Sequence, residues 1–374
     1  MPRFLIGILG LVLLGAIVWD AIETVLVPRR IGRRFRLTRG FYIVTWRIWR
    51  ALVAPVRRPA RREAILGVFG PLSLVMLLGC WALGLIVAFA LMAWAVQTRG
   101  EMAHRGFPLL LYMSGETFFT LGYGDFTPGS VVGRLLSVME AGLGFGFLGT
   151  VVGYLPTMYS AFSEREIEIT LMDAHAGSPP TAAEFLRRNP PGTRGCEERL
   201  RTWERWAAQL LETHISYPQL AYYRSQHLNQ SWLGTLTTIL DSTAAVLARA
   251  GNGDTGPAHA TFAMARHALV DITQIFFQKY RPPANSRMSE EQMALLRGAI
   301  AAIGGASVSP AAFEDRLAEL RILYEPYAQA LAEFLLIGLP PWAHLEPRRD
   351  NWERGPWDRM LPRTEEALRH EEHY

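Results

Sequence analysis

Apolar positions divide this chain before any motif is considered. Three stretches, Phe4–Val27, Leu66–Val96 and Val131–Tyr154, are apolar for long enough to cross a bilayer, which takes about 20 helical residues. The first begins with a single arginine and is followed by no small-residue cleavage pattern, so it reads as a retained span and not as a leader. A fourth stretch, Pro108–Thr120, is apolar but too short to cross, and a glycine-rich turn follows it. From Phe162 onward apolar residues recur every three or four positions. They predict helices at Glu197–His214, Ser231–Ala250, Pro257–Tyr280, Ser289–Ile303 and Pro310–Ile337. Turn signals at 178–180, 189–192, 251–256, 281–283 and 339–341 separate them. Few strand signals compete, so the fold class is an all-α membrane protein with a helical C-terminal half.

Charge fixes the orientation. The net charge of +4 conceals +9 over residues 1–165 and −5 over residues 166–374. The basic half is also the apolar half, which points to a membrane and not to nucleic acid. Pro28–Glu63, between the first two spans, holds twelve arginines and one acid, so it is expected in the cytoplasm. The N-terminus is then outside, Gln97–Phe107 is outside, and the third span returns the C-terminal region to the cytoplasm. Gly40–Pro55 mixes Phe41, Trp46, Ile48 and Trp49 with Arg47 and Arg50, as a helix lying among lipid headgroups does. A voltage sensor would space its arginines through a spanning helix, which is not the pattern here.

Composition narrows the class further. Half of the 374 residues are hydrophobic and 19% are charged, against about 25% charged in a soluble chain. Disorder is excluded by that hydrophobicity, and a disulfide scaffold by two cysteines, Cys80 and Cys196, in so long a chain. The sequence holds no HExxH, no CxxC, no phosphate loop and no nucleophile arrangement. Neither an enzyme nor a cofactor is expected. His370 and His373 flank two glutamates in a charged tail that reads as solvated.

The short fourth stretch carries the chemistry. Irregular backbone at membrane depth is tolerated only where it is buried in protein or lines a watery path. Thr117-Phe118-Phe119-Thr120-Leu121-Gly122-Tyr123-Gly124-Asp125 resembles the potassium-channel signature TxxTxGYGD at every specified position, and Pro128, Gly133 and Arg134 continue the likeness into the third span. The resemblance to the potassium-channel superfamily covers about Leu66–Met158. It implies a homotetramer in which each chain supplies one quarter of a filter, with K+ as the permeant ion and no cofactor. It assigns ion coordination to the carbonyls of Thr120, Leu121, Gly122 and Tyr123, with Gly124 closing the filter. Leu121 stands where valine is commoner, and packing of its side chain against Phe118 and Phe119 would soften selectivity. In some bacterial relatives the carboxyls at the positions of Glu116 and Asp125 share a proton behind the filter. Tyr112 is placed to donate to Asp125, and Thr117 opens the signature.

The third span carries glycines at 142, 144, 146, 149 and 153. The resemblance puts Gly144 at a hinge, although close packing is an equal reading. Gly149 joins Gly144 as a gating position, and Pro156 ends or kinks the span, placing the constriction near Tyr154–Tyr159. Glu140 shares a helix face with Gly144 and either faces the cavity or bonds behind the pore helix, with the second favoured. Asp20 and Glu23 oppose the helix dipole unless Arg29, Arg30 or a neighbouring subunit pairs them.

The segments expected are 1–30, an N-terminal span; 31–63, a basic loop; 64–160, a pore module; and 161–374, a cytoplasmic helical domain. The last lacks the glycine fingerprint of a dinucleotide-binding regulator. Within it His214, Tyr222, Tyr223, Arg224 and His227 concentrate near Tyr217-Pro218, as a ligand or proton sensor or a core polar network would; Arg266, His267 and Asp271 are candidates to join them. The expected function is a potassium channel in the cell membrane, its third span bending under control of the helical cytoplasmic domain, with a cytoplasmic ligand or partner as a candidate. A weakly selective cation channel and a non-conducting membrane-anchored scaffold are the alternatives.

Overall fold

The computed structural model describes residues 3–25, 36–97, 106–227, 229–250, 255–276, 286–303, 308–346 and 350. Every regular element among them is helical. Arg29, Arg30, His370 and His373, and with them the pairing expected of those arginines, lie outside the described residues. Three helices are long and apolar enough to cross a membrane. They are α1 (Arg3–Val25), α3 (Pro59–Val96) and α5 (Val131–Ala176), with α2 (Leu37–Val53) after the first span and the short α4 (Phe107–Phe118) before the last. The chain divides into two compact units.

The first unit comprises residues 1–163 together with Thr213–Arg224, a segment that sequence alone assigns to the C-terminal region. α1 and α3 pack antiparallel through small residues, as membrane helices do in the absence of a hydrophobic drive between them. A methyl group added at Gly10 would come within 2.7 Å of the Ala88 carbonyl oxygen, and one at Gly7 within 3.0 Å of the Ala95 side chain. The Arg3 guanidinium reaches the Gln97 carbonyl at 3.4 Å, so the start of α1 and the C-terminal end of α3 share one side.

At the other end, Asp20 resolves the puzzle of an acid at a helix C-terminus by serving the N-terminus of α2. Its carboxylate accepts the Thr38 N–H at 3.1 and 3.2 Å, the Thr38 hydroxyl at 2.5 Å and the Trp81 indole N–H at 3.1 Å. Glu23 accepts from the Trp19 indole at 2.6 Å and lies 3.6 Å from Arg36. A carboxylate beside the first turn of α2 also meets the favourable end of that helix dipole.

Pro156 does not end the third span. α5 continues through it to Ala176. Proline removes one backbone bond and costs a helix about 3 kcal/mol, yet here Tyr154, Met158 and Phe162 flank it inside an apolar cluster with Leu74 and Leu220.

The second unit comprises residues 164–212 and 225–374. α6 (Ala182–Arg188) and the N-terminal part of α7 (Arg194–Ser216) are followed by α8 (Trp232–Ala250), α9 (Gly256–Ile275), α10 (Glu290–Ile303), α11 (Pro310–Ile322) and α12 (Glu325–Leu335). α8 is buried along nearly its whole length, with α6, α9, α11 and α12 packed around it. Its threonines remain tolerable inside because their hydroxyls donate back to the preceding turn, as from Thr237 to Leu233 at 2.7 Å. The single helix expected over Pro310–Ile337 is two helices broken before Pro326. The break turns Tyr324 inward, where its hydroxyl donates to the fully buried Asp241 at 2.5 Å.

Asp241 also takes two bonds from Arg287, at 2.5 and 2.7 Å. Arg287 continues to Glu325 at 3.1 Å and lies over the Trp342 ring at 5.4 Å. Removing one partner from such a pair leaves a buried charge uncompensated. Arg287→Met is therefore expected to destabilise the second unit by about 3–5 kcal/mol, read as a lowered denaturation midpoint in detergent, with Asp241→Asn in the same chain recovering part of the loss. Burial also raises the Cys196 thiol to about 11, so it should label far more slowly with maleimide at neutral pH in the folded protein than after denaturation.

Candidate functional site

The site is built where α4 stops short. Pro108 sits in the first turn of α4, where its missing N–H costs nothing, and the helix runs only twelve residues. One face of it packs against α3 through Leu110, Met113 and Ala90. Thr117 spends its hydroxyl on the Met113 carbonyl at 2.8 Å. The helix unwinds through Phe119, whose N–H still reaches the Gly115 carbonyl at 3.0 Å.

Beyond it the backbone alternates in hand. Thr120, Gly122 and Gly124 have φ of 56°, 69° and 74°, whereas Leu121 and Tyr123 between them do not enter the positive region. Two glycines meet that demand without steric cost. Thr120 does not: a β-branched residue at positive φ is a true outlier, and strain of this kind gathers at functional sites. Opposite hands at successive residues cancel the turning of the chain and present backbone polar groups in a row.

Glu116 brackets this strand. Its carbonyl accepts the Leu121 N–H at 2.9 Å and its buried carboxylate accepts the Gly124 N–H at 3.0 Å. Asp125 is engaged elsewhere, taking the Tyr112 hydroxyl at 3.3 Å, and the Tyr112 ring meets Phe126 edge-on. The two carboxyls read as a proton-sharing pair thus each have a separate partner. Leu121 is 53% exposed and Tyr123 70% exposed in the single chain, while Phe118 is buried against Phe119 and Phe147.

Behind α4 lies a support that sequence reading only half found. Glu140 is buried and hydrogen-bonded to Ser114, which also donates to the Ile86 carbonyl at 2.8 Å. The acid favoured as a bond behind the pore helix is that bond. Ser114 was missed; a lone serine inside an otherwise apolar helix face was its only signal.

Gly144 lies against the end of α4. A methyl group there would overlap the Phe118 carbonyl oxygen, with the carbonyl carbon at 2.9 Å and Cα at 3.2 Å. Close packing, not only bending, requires glycine at this position. Gly149 has open space around it, and Pro156 sits inside the helix.

The residues of the second constellation belong to different units. His214, Tyr222, Tyr223 and Arg224 belong to the first unit, with His214 buried beside Thr213. His227 is exposed and belongs to the second unit, as do the half-buried Arg266, the exposed His267 and the buried Asp271. Burial raises Tyr222 above the ordinary phenol range and Tyr223 to about 12, so neither changes charge near neutrality.

A short helix entering between two spanning helices, followed by a backbone of alternating hand, is the construction of an ion channel. Residues 74–161 match the family model described as "Ion channel", and over that segment the chain is similar to ion channels. No curated protein and no solved structure matches the chain.

The contrast between two glycines tests this geometry. Gly144→Ala should lower stability in detergent by about 1–3 kcal/mol through overpacking. Gly149→Ala should be neutral or gain up to about 1 kcal/mol from helix propensity. Thermal unfolding distinguishes them, and equal behaviour would remove the packing role of Gly144.

Proposed function

We propose that the protein is a potassium channel subunit, assembled as a homotetramer in the cell membrane. The observation that carries this reading is the 120–124 segment. It has left-handed backbone at alternate positions, including one threonine, and Glu116 secures its N–H groups from behind. Four copies around an axis would replace the water shell of K+ with the carbonyl oxygens of Thr120, Leu121, Gly122 and Tyr123. Positioned dipoles suit an ion that must be stripped of water and released again.

Tetramer formation gains support from the third span. Val131, Leu135, Val138, Phe145, Leu148 and Val152 are exposed apolar residues of α5 in the single chain, and a chain that supplies one quarter of a ring must present such a face to its neighbours. The basic loop supports an outside N-terminus and a cytoplasmic C-terminal unit. Opening is assigned to the cytoplasmic end of α5, where Leu155 and Tyr159 are turned away from the packed Tyr154 and Met158.

Purified protein in liposomes should pass K+ down its gradient, and Tyr123→Ala should abolish the flux or its selectivity. No flux over a wide range of voltage, pH and calcium would favour the scaffold reading. Reversal potentials in mixed K+ and Na+ report the consequence of Leu121. A potential following K+ alone supports a selective filter, and Leu121→Val should then leave it unchanged. A potential following both ions marks the weakly selective channel. Glu116→Ala frees the Gly124 N–H and should change filter inactivation; unaltered inactivation would remove Glu116 from that role.

A further inference from the structure

We infer that Thr213–Arg224 is a strap that holds the cytoplasmic end of the inner helix α5 against the outer helix α3 and the surface helix α2, and that α5 moves only when the strap lets go. This inference rests on the channel reading and adds the device that governs it.

The segment leaves the second unit for twelve residues, packs in the first and returns. Its short 3-10 turn, Pro218–Tyr222, lies on α3. Tyr222 is the anchor. Its ring stacks on Tyr42 of α2 with centroids 5.5 Å apart and planes 5° from parallel, and it lies 5.1 Å from Trp46 and 5.2 Å from Phe69 of α3. Three residues earlier Gln219 donates to the Tyr154 hydroxyl of α5 and meets the Met158 sulfur at 3.6 Å.

Tyr223 closes the far side. It occupies the space that Gly70 leaves, where a methyl group would come within 2.7 Å of its ring, and it lies 5.6 Å from Phe162. Arg224 then pairs with Glu63 at 3.4 Å. One short peptide thus grips three helices through rigid aromatic rings, which lose little entropy on ordering.

Its place on α5 gives the grip its meaning. Tyr154 and Met158 stand on either side of Pro156, where the helix already lacks a backbone bond. A helix is most easily bent there, and the strap holds both flanks. The same peptide is continuous with the second unit at both ends, so a change in that unit that pulls on either end acts on the strap. Neither buried tyrosine titrates near neutrality, so the strap is released by mechanical or binding events and not by phenol ionisation.

A reversible tether tests the strap. In a chain carrying Cys80→Ser and Cys196→Ser, the pair Gly70→Cys and Tyr223→Cys puts a sulfur close to where the Tyr223 ring carbon now lies, 3.0 Å from the Cβ built at position 70, within reach of a disulfide. Loss of both thiols to maleimide after oxidation measures closure without any current. In planar bilayers the oxidised pair should open and close about tenfold less often or not at all, and reductant should restore gating. In the same assay Tyr222→Ala should shift the open fraction while leaving the reversal potential unchanged.

Thiols that stay free under oxidant, or a closed disulfide with unaltered gating, would overturn the strap alone. A silent wild-type protein would overturn the channel reading and the strap's role with it, even where the thiol count shows the pair closed.

Discussion

Backbone that leaves a helix at membrane depth must find hydrogen-bond partners that water is not there to supply, and the rest of the pore unit follows from how this chain meets that demand. Glu116 supplies two acceptors from one residue, its carbonyl for Leu121 and its carboxylate for Gly124. That works only if α4 is held still. Ser114 ties α4 to the Ile86 carbonyl of α3 and to Glu140 of α5, and Gly144 lets α5 approach the Phe118 carbonyl. The left-handed Thr120 is then kept by its surroundings, the condition under which a strained residue persists.

Much of this was legible because membrane helices carry their signal in length. The first and third spanning helices start within one residue of expectation, the second starts seven residues earlier at Pro59, and α4 was visible as an apolar stretch too short for a crossing. The turn after α4 was legible as glycine-rich, and Gly122 and Gly124 sit where positive φ is needed. Other features depend on which residue a side chain meets, and spacing along a chain does not encode that. Nothing in the spacing of Asp20 shows that it serves Thr38 and Trp81. Glu116 looked like a partner for Asp125, and its bond goes to a backbone N–H instead. The break before Pro326 was concealed by uninterrupted apolar spacing on both sides of it.

The tyrosines at 222 and 223 illustrate the same limit in another form. Polar aromatics beside histidines read as a sensor or as a core polar network, and more readily as the core. The arrangement is a packed one, with Tyr222 among Tyr42, Trp46 and Phe69. Nothing in local composition separates residues 213–224 from their neighbours; only their partners do. Tyr42 and Trp46, four apart and on one face of α2, are both buried in protein.

Acids are the other guide to how the pore unit is joined. Asp20, Glu23, Glu116 and Glu140 are all buried, and an ionisable group in a membrane segment is expensive unless it is bonded. Each is bonded, and all but Glu23 have partners that lie on other elements. Asp20 joins α1 to α2 and α3, Glu140 joins α5 to α4, and Glu116 joins α4 to the strand after it. Apolar contact gives little drive between helices already surrounded by apolar lipid, so position has to be set by close fit or by directed bonds. Small residues supply the fit where α1 meets α3 and where α5 meets α4. Carboxylates supply direction at the joints where one rotation of one helix would misplace the filter. That division explains why an unusually apolar half of the chain retains these few acids, and why they stand at junctions instead of along the exposed faces of α1 and α5.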